Sequence, residues 1–241
     1  MFTKLLAYEI RSRYRADARS FGAFIAVIAV AAGIVAAGLP GISGSTATLA
    51  YALCALTPVA CAIAAMADYW KTLYGQRGYF TMSLPISGTV IFWAKVSRIV
   101  IECLLALALA VGGIIAVAAS AAWSDGISLA EYTAGPRSVV AGMPTSTVVI
   151  MIAVQIVLSM SWIVQGCAVM SIGAEGRFNH LGFGAPIIGF VLVYIVNQVL
   201  STVGTFFLPL SVTTDGHFST EIMWTSYRAT MGTDGQPNVI G

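Results

Sequence analysis

The chain has 241 residues, of which 58% are hydrophobic and only 9% are charged. Soluble domains are about one-quarter charged, so this composition, with a mean hydropathy of +0.88, excludes an ordinary soluble protein and indicates a membrane protein. The net charge of +2 is too small to indicate a protein that binds nucleic acid.

The first twenty residues have the pattern of an amphipathic helix. Phe2, Leu5 and Ile10 share one helical face, and the rest is crowded with the basic residues Lys4, Arg11, Arg13, Arg15 and Arg19. We predict an interfacial helix over residues 1–20 that lies on an anionic leaflet. The apolar run that follows is too long for a signal peptide, so residues 21–39 are predicted to form an uncleaved first span.

Four further apolar runs predict four more transmembrane helices, over residues 46–67, 96–122, 147–172 and 183–208. Each run is long enough to cross about 30 Å of hydrocarbon. Pro58 predicts a kink in the second span, and Gly112 with Gly113 predicts a close helix approach in the third. We therefore expect an all-α polytopic membrane protein with a single transmembrane domain over residues 1–241.

The positions of lysine and arginine predict the orientation. Five of the twelve basic residues lie in the N-terminal segment, four lie between residues 68 and 98, and one is Arg177. Only Arg137 and Arg228 fall on the other side of the predicted spans. Because cytoplasmic loops are enriched in lysine and arginine, we expect a cytoplasmic N-terminus, a cytoplasmic loop over residues 68–95 and an extracellular tail over residues 209–241.

No motif predicts catalysis or metal binding. The chain has no Walker phosphate-binding loop and no zinc-ligand spacing, and its cysteines lie within apolar runs as small buried side chains. Gly41, Ser43 and Gly44 match the G-x-S-G pattern of rhomboid-type intramembrane serine proteases, which need a base beside the serine. His180 is expected across the membrane from Ser43, and His217 lies in the polar tail. A tight turn is therefore the favoured interpretation.

Four polar side chains within the predicted spans are candidates for lining a transport pathway: Gln155, Gln165, Asn197 and Gln198. The alternative is that they form hydrogen bonds between helices. Gln155 and Asn197 are expected at similar depth on adjacent antiparallel spans. Glu102, near the inner end of the third span, is expected to pair with Arg98 at helical spacing.

Two segments, LLAYEIRSRYR at the start and LYGQRGYFTMSLPISGTVIFWAK in the middle, resemble the membrane subunits of bacterial type-2 ATP-binding-cassette (ABC) exporters. The matched positions of the second segment are residues 73–75, 78–81 and 84–87, followed by Lys95. The resemblance covers the N-terminal helix and the central loop, and it extends to the rest of the chain only through hydropathy.

The resemblance implies that this chain is a permease forming half of a transmembrane pathway in the bacterial cytoplasmic membrane, beside a second identical or different permease chain. A separate cytoplasmic subunit would bind ATP and Mg²⁺, and this chain would hold no cofactor. The loop over residues 68–80 would include a coupling helix that docks on the ATPase, through Tyr69, Trp70, Lys71, Leu73, Tyr74 and Arg77. Members of this group usually have six spans, so we expect a sixth either to follow Gly241 or to be supplied in the assembly.

Two other functional classes stay open at this stage. The chain could be a non-transporting immunity or assembly protein, whose central loop only lies on the lipid headgroups. The intramembrane serine protease with Ser43 as nucleophile is the least favoured hypothesis.

Overall fold

A computed structural model describes residues 2–75, 78, 83, 85–175, 178, 184–209, 211–213, 218–220, 222–230 and 239–240. The helices are α1 (Phe2–Ala36), α2 (Ser43–Leu73), α3 (Gly88–Ser124), α4 (Leu129–Tyr132), α5 (Ala134–Ala141), α6 (Thr145–Gly173), α7 (Gly184–Phe207) and α8 (Met223–Thr230). Three short antiparallel strands, in the order β2-β1-β3, are β1 (Ser211–Thr213), β2 (Phe218–Ser219) and β3 (Val239–Ile240).

Five of these helices, α1, α2, α3, α6 and α7, are long and apolar enough to cross a membrane. Large apolar side chains cover their outer faces; Leu49 is 71% exposed and Val30 is 64% exposed. Such surfaces are stable only against lipid or another protein, so the predicted all-α multi-pass membrane fold is confirmed.

The chain consists of two compact units, Met1–Ala134 and Gly135–Gly241. In the first unit, α1 and α3 pack along their whole lengths. Glu9 pairs with Lys95, 86 residues further along the chain, and Gly38 lies beside Ser124 with the same separation. Because the separation is constant, α1 and α3 run parallel and in register from one end to the other.

Helix α2 runs antiparallel to both of them. Thr72, near its end, bonds Lys95 near the start of α3, whereas Cys54 meets Gly113 further along. Small side chains allow the close approach: the buried core here includes Ala50, Cys54 and Ala110. Gly113 is at the contact, and Gly112 faces away with nothing within 4 Å of an added Cβ atom.

Glycine ends two of these helices. Gly38 follows α1 with φ of 63°, and Gly126 follows α3 with φ of 68°. After α3, the amide of Gly126 bonds the Trp123 carbonyl and the amide of Ile127 bonds that of Ala122. This left-handed cap needs a residue without a Cβ atom.

Several predicted boundaries are wrong. The interfacial helix and the first span form one helix, α1, with no break at residue 20, because residues 1–20 contain neither proline nor glycine to end it. Helix α2 also continues to Leu73, and α3 begins at Gly88 rather than residue 96. The connector between them is therefore residues 74–87, and its residues 76, 77, 79–82 and 84 lie outside the described residues.

In the second unit, α6 and α7 form a helical hairpin. A Cβ atom on Gly173 would lie 2.8 Å from the backbone nitrogen of Pro186, and one on Gly189 would lie 2.6 Å from Val169. The segment after α7 contains the short helix α8 (Met223–Thr230). Its Trp224 and Tyr227 pack against Phe206 at the end of α7, as expected of an aromatic cluster at a membrane boundary.

The first prediction concerns helix packing at Gly113. Gly113→Leu should lower the free energy of unfolding by about 1–3 kcal/mol, because the added side chain overpacks the contact with Cys54. Gly112→Leu is the matched control, since it places the same side chain one residue away in open space. Denaturation in mixed micelles, followed by tryptophan fluorescence, measures both. Equal effects of the two substitutions would contradict the close approach.

Candidate functional site

Seven charged side chains come together at the N-terminal end of the first unit, and we call this cluster the ionic layer. Its members are Glu9, Arg13 and Asp17 on α1, Asp68 on α2, and Lys95, Arg98 and Glu102 on α3. On α1 the spacing is i, i+4, i+8, and on α3 it is i, i+3, i+7. Both spacings place charges on one helical face.

Lys95 joins all three helices. Its side chain is only 6% exposed, and its Nζ lies 3.0 Å from the Glu9 carboxylate on α1. The same Nζ donates a hydrogen bond of 3.1 Å to Oγ1 of Thr72 on α2. A charge this deeply buried requires such partners, and these partners lie on separate helices.

The Asp68 carboxylate forms ion pairs with two guanidinium groups, one on each oxygen. Arg13 on α1 lies 3.0 Å from Oδ1, and Arg98 on α3 lies 3.4 Å from Oδ2. Arg98 also pairs with Glu102 at 2.6 Å, as the helical spacing predicted. Each oxygen of the Asp68 carboxylate therefore holds a different helix against α2.

Such an arrangement is a costly way to join helices. Removing several charges from water carries a large desolvation penalty, and apolar packing of similar volume is often as stable. The Nε atoms of Arg13 and Arg98 are also buried without a hydrogen-bond partner. What ion pairs supply beyond stability is geometric selectivity, because only one register satisfies every pair.

The ionic layer lies beside the apolar part of the bundle rather than within it. The 35 residues of α1 extend about 52 Å, well beyond the roughly 30 Å of hydrocarbon in a bilayer. The apolar run of α1 starts at Phe21, so Asp17 and Glu9 lie about 6 and 18 Å before it. The charges thus belong to the headgroup region.

A cavity of about 170 Å³ opens between α1 and α3 at this level. Its walls include Tyr14, Phe21 and Leu105, and the charged residues Asp17, Arg98 and Glu102 also line it. It therefore combines apolar walls with part of the ionic layer.

The residues predicted to couple to an ATPase differ in exposure. Tyr69 and Leu73 are buried, at 1% and 5% exposure. Tyr69 forms edge-to-face ring contacts with Tyr74 and Phe92. Tyr69 and Leu73 belong to the last turns of α2 rather than to a separate coupling helix.

Of the remaining members of this set, Trp70 and Tyr74 are half-buried and Lys71 is exposed. Arg77 lies outside the described residues. Only part of the predicted set therefore faces outward in the first unit.

The four candidate pathway residues also separate. Asn197 on α7 donates a hydrogen bond of 2.6 Å to Gln165 on α6, whereas Gln155 and Gln198 are exposed in the second unit. Gln155 lies ten residues, or about 15 Å, from Gln165 along the helix. The prediction that Gln155 and Asn197 lie at similar depth is therefore wrong, because Asn197 is level with Gln165.

The other predicted features have simple contacts. The Ser43 hydroxyl donates a hydrogen bond to the Leu39 carbonyl, as serine often does in the first turn of a helix. Cys61 lies 3.9 Å from the Glu102 carbonyl, and the four cysteines are free. No group of three metal-binding side chains occurs within the described part of the chain. Both histidines fall outside it.

Most of the ionic layer was not singled out from the sequence. The signal was present in the spacing of Glu9, Arg13 and Asp17, which places alternating charges on the same face as Ile10 and Phe21. A face with both charges and apolar residues is not a solvated face, and this could have indicated buried pairing. The partner helices could not be identified in this way.

Comparisons with protein-family models, with curated proteins and with solved structures gave no match. The functional argument therefore depends on the residues and their geometry.

The second prediction concerns the buried pair of Lys95 and Glu9. Lys95→Met should lower the free energy of unfolding by about 3–5 kcal/mol, because it leaves the Glu9 carboxylate buried without its cation. Adding Glu9→Leu should recover most of this loss, since both charges are then replaced by apolar groups. Lys71→Met, at an exposed site, should stay within about 0.5 kcal/mol of the native protein. If Lys95→Met behaves like Lys71→Met, the pair is not buried.

The third prediction concerns the amide pair of the second unit. Asn197→Leu and Gln165→Leu should each cost about 1 kcal/mol of unfolding free energy, because hydrogen bonds between membrane helices contribute about 0.6 kcal/mol on average and about 1.7 kcal/mol at most. The double variant should cost less than the two single changes together, because they remove one shared bond. Gln198→Leu is the control at an exposed neighbouring position. Additive single effects would count against the hydrogen bond.

Proposed function

We propose that this multi-pass membrane protein is the permease subunit of a type-2 ABC exporter. In this role it forms half of a transmembrane pathway, and a separate subunit binds and hydrolyses ATP. The proposal starts from the matched residues of the central segment, 73–75, 78–81, 84–87 and Lys95.

The observation that carries the proposal is the position of the ionic layer beside the connector. The connector over residues 74–87 leaves α2 shortly after Asp68 and enters α3 shortly before Lys95. Both of these residues are ion-paired to α1. A force applied to the connector would therefore reach α1, α2 and α3 together, as coupling to an ATPase requires.

The exposed side of this region supplies a docking surface in the proposal. Lys71 is exposed, and Trp70 and Tyr74 are half-buried with ring centroids 5.2 Å apart. An aromatic pair beside a cation is the kind of anchor that protein interfaces use. Buried Tyr69 and Leu73 would instead hold the end of α2 against the bundle, so their part in docking is indirect.

The rest of the assembly follows from the proposed role. The N-terminus and connector face the cytoplasm of a bacterial cell, where the ATP-binding subunit supplies ATP and Mg²⁺. A second permease chain, identical or different, completes the pathway. Gln155 and Gln198, exposed at membrane depth in the second unit, are the candidates for its polar lining.

The fourth prediction tests coupling through Lys71. In detergent extracts of the native membrane, the tagged chain should retain an ATP-binding subunit identified by mass spectrometry. Lys71→Glu should weaken this association about tenfold or more, because it reverses a charge at the docking surface. Arg137→Glu makes the same charge change at an exposed position of α5, outside the connector and the proposed docking surface, and should have no effect.

The outcome separates the functional classes. Loss of the subunit from Lys71→Glu alone, with loss of ATP-dependent transport in proteoliposomes, supports the exporter. If both variants retain the ATP-binding subunit equally, the docking surface does not include Lys71. A chain that retains no ATP-binding subunit and changes no substrate distribution would favour the non-transporting immunity or assembly class.

A further inference from the structure

We infer that Cys61 on α2 and Cys103 on α3 form a redox-active dithiol, which a small disulfide such as oxidised glutathione converts into a disulfide bond between the two helices. This modification site lies entirely within the first unit and does not depend on the exporter proposal. Three observations carry the inference: the contact between the two thiols, the helix contacts on either side of them, and their exposure.

The two thiols meet across the interface of α2 and α3. Their side chains hydrogen-bond each other. The Sγ of Cys61 also lies 3.9 Å from the backbone carbonyl oxygen of Glu102, the residue before Cys103, and 3.9 Å from its Oε1. Neither thiol is part of a disulfide. Oxidation would bring the two sulfur atoms to about 2.05 Å while the same helices stay neighbours.

Contacts on both sides hold the two cysteines opposite each other. Cys54, Cys61 and Asp68 recur every seven residues on α2, so they lie on one helical face. On one side of the pair, Cys54 meets Gly113 of α3, and on the other side Asp68 forms its ion pair with α3. Because α2 and α3 are antiparallel, Cys103 falls between these two contacts, as Cys61 does.

The pair also differs from the other two cysteines in exposure. Cys61 and Cys103 are half-buried, whereas Cys54 and Cys167 are completely buried, at 0% exposure. Cys103 directly follows Glu102 of the ionic layer, so the pair lies at the edge of the headgroup region, where an oxidant dissolved in water has access. Because thiol–disulfide exchange requires access to the sulfur, oxidation should select this pair.

The reaction is two successive thiol–disulfide exchanges. The thiolate of one cysteine attacks a sulfur of oxidised glutathione, so a mixed disulfide forms and one glutathione leaves as its thiolate. The thiolate of the other cysteine then attacks the protein sulfur of the mixed disulfide, and the second glutathione leaves. The two protein thiols lose two electrons to oxidised glutathione, and their two protons go to the departing glutathione thiolates.

The product would add a covalent bond to the first unit beside its ion pairs. Cys61 lies two helical turns from Asp68 on the same face of α2, so the disulfide would fix the register that the Asp68 ion pairs favour. The bond would form when oxidised glutathione accumulates, and it would break when reduced glutathione is restored. The dithiol is therefore a site at which the redox state of the surroundings can lock α2 to α3.

The experiment uses the full chain in phosphatidylcholine nanodiscs, incubated with oxidised and reduced glutathione at graded ratios. N-ethylmaleimide in SDS then blocks the remaining thiols, and mass spectrometry maps every cysteine. Peptides containing Cys61 and Cys103 should be joined within one chain, and dithiothreitol should separate them. This internal disulfide should exceed the mixed disulfide with glutathione about tenfold or more, because the second thiol is already in place.

Three variants test the pairing. Cys61→Ser and Cys103→Ser each remove the resolving thiol, so the remaining cysteine of the pair should accumulate as a mixed disulfide with glutathione. Cys167→Ser makes the same change in the second unit and should leave the internal disulfide unchanged. If either variant of the pair fails to fold, the map of the native chain decides.

Four results would overturn the inference. These are a native chain that forms only mixed disulfides, a disulfide that includes Cys54 or Cys167, a disulfide between two chains rather than within one, and retention of all four thiols at the most oxidising ratio.

Discussion

The bridge at Asp68 is the interaction on which the first unit depends. One carboxylate on α2 binds Arg13 of α1 through one oxygen and Arg98 of α3 through the other. Membrane helices gain little from apolar packing against one another, because lipid is equally apolar. Sliding a helix by one turn would leave α1 and α3 packed against apolar neighbours but would separate these charges. The ion pairs thus favour one register, together with the close contact of Gly113 with Cys54.

That register also fixes where the three helices can meet the bilayer. Phe21 begins the apolar run of α1, and the constant separation between α1 and α3 places residue 107 at the same level. The apolar part of α3 then covers about residues 107–124, or about 27 Å, close to the thickness of the hydrocarbon. Arg98 and Glu102 lie outside it. Charges that seemed to lie within a predicted span of 96–122 are therefore at headgroup level.

The sequence was informative about the number of helices and much less about their ends. Long apolar runs predict spans by length alone, and the five long apolar helices agree with that prediction. The predicted helix ends are wrong where the helices continue beyond the hydrocarbon. Residues 1–20 and Asp68–Leu73 have mixed composition, so they suggested separate interfacial helices. Nothing in their local pattern shows that their charges are paired to other helices, because those partners lie 30 to 86 residues away.

The candidate site shows the same limit. The pair of Arg98 and Glu102 was predictable because it lies within one helix, four residues apart. Arg13 looked like one of several basic residues on a leaflet, yet it differs from its neighbours by facing Asp68. Only the helical face separates it from Arg11 and Arg15, which are exposed. The number of basic residues on each side predicts an orientation, whereas the structure shows which of them form ion pairs between helices.

The two units differ in how their helices are held, and this difference bears on the proposed division of labour. In the first unit, several ion pairs and the Gly113 contact join three helices. In the second, the contacts between α6 and α7 include the amide hydrogen bond of Asn197 with Gln165 and two close glycine contacts. Changing the register of the first unit would leave buried charges without their partners, which typically costs several kcal/mol for each charge left unpaired. Within the proposed exporter, the first unit is therefore suited to transmit a movement as a rigid body.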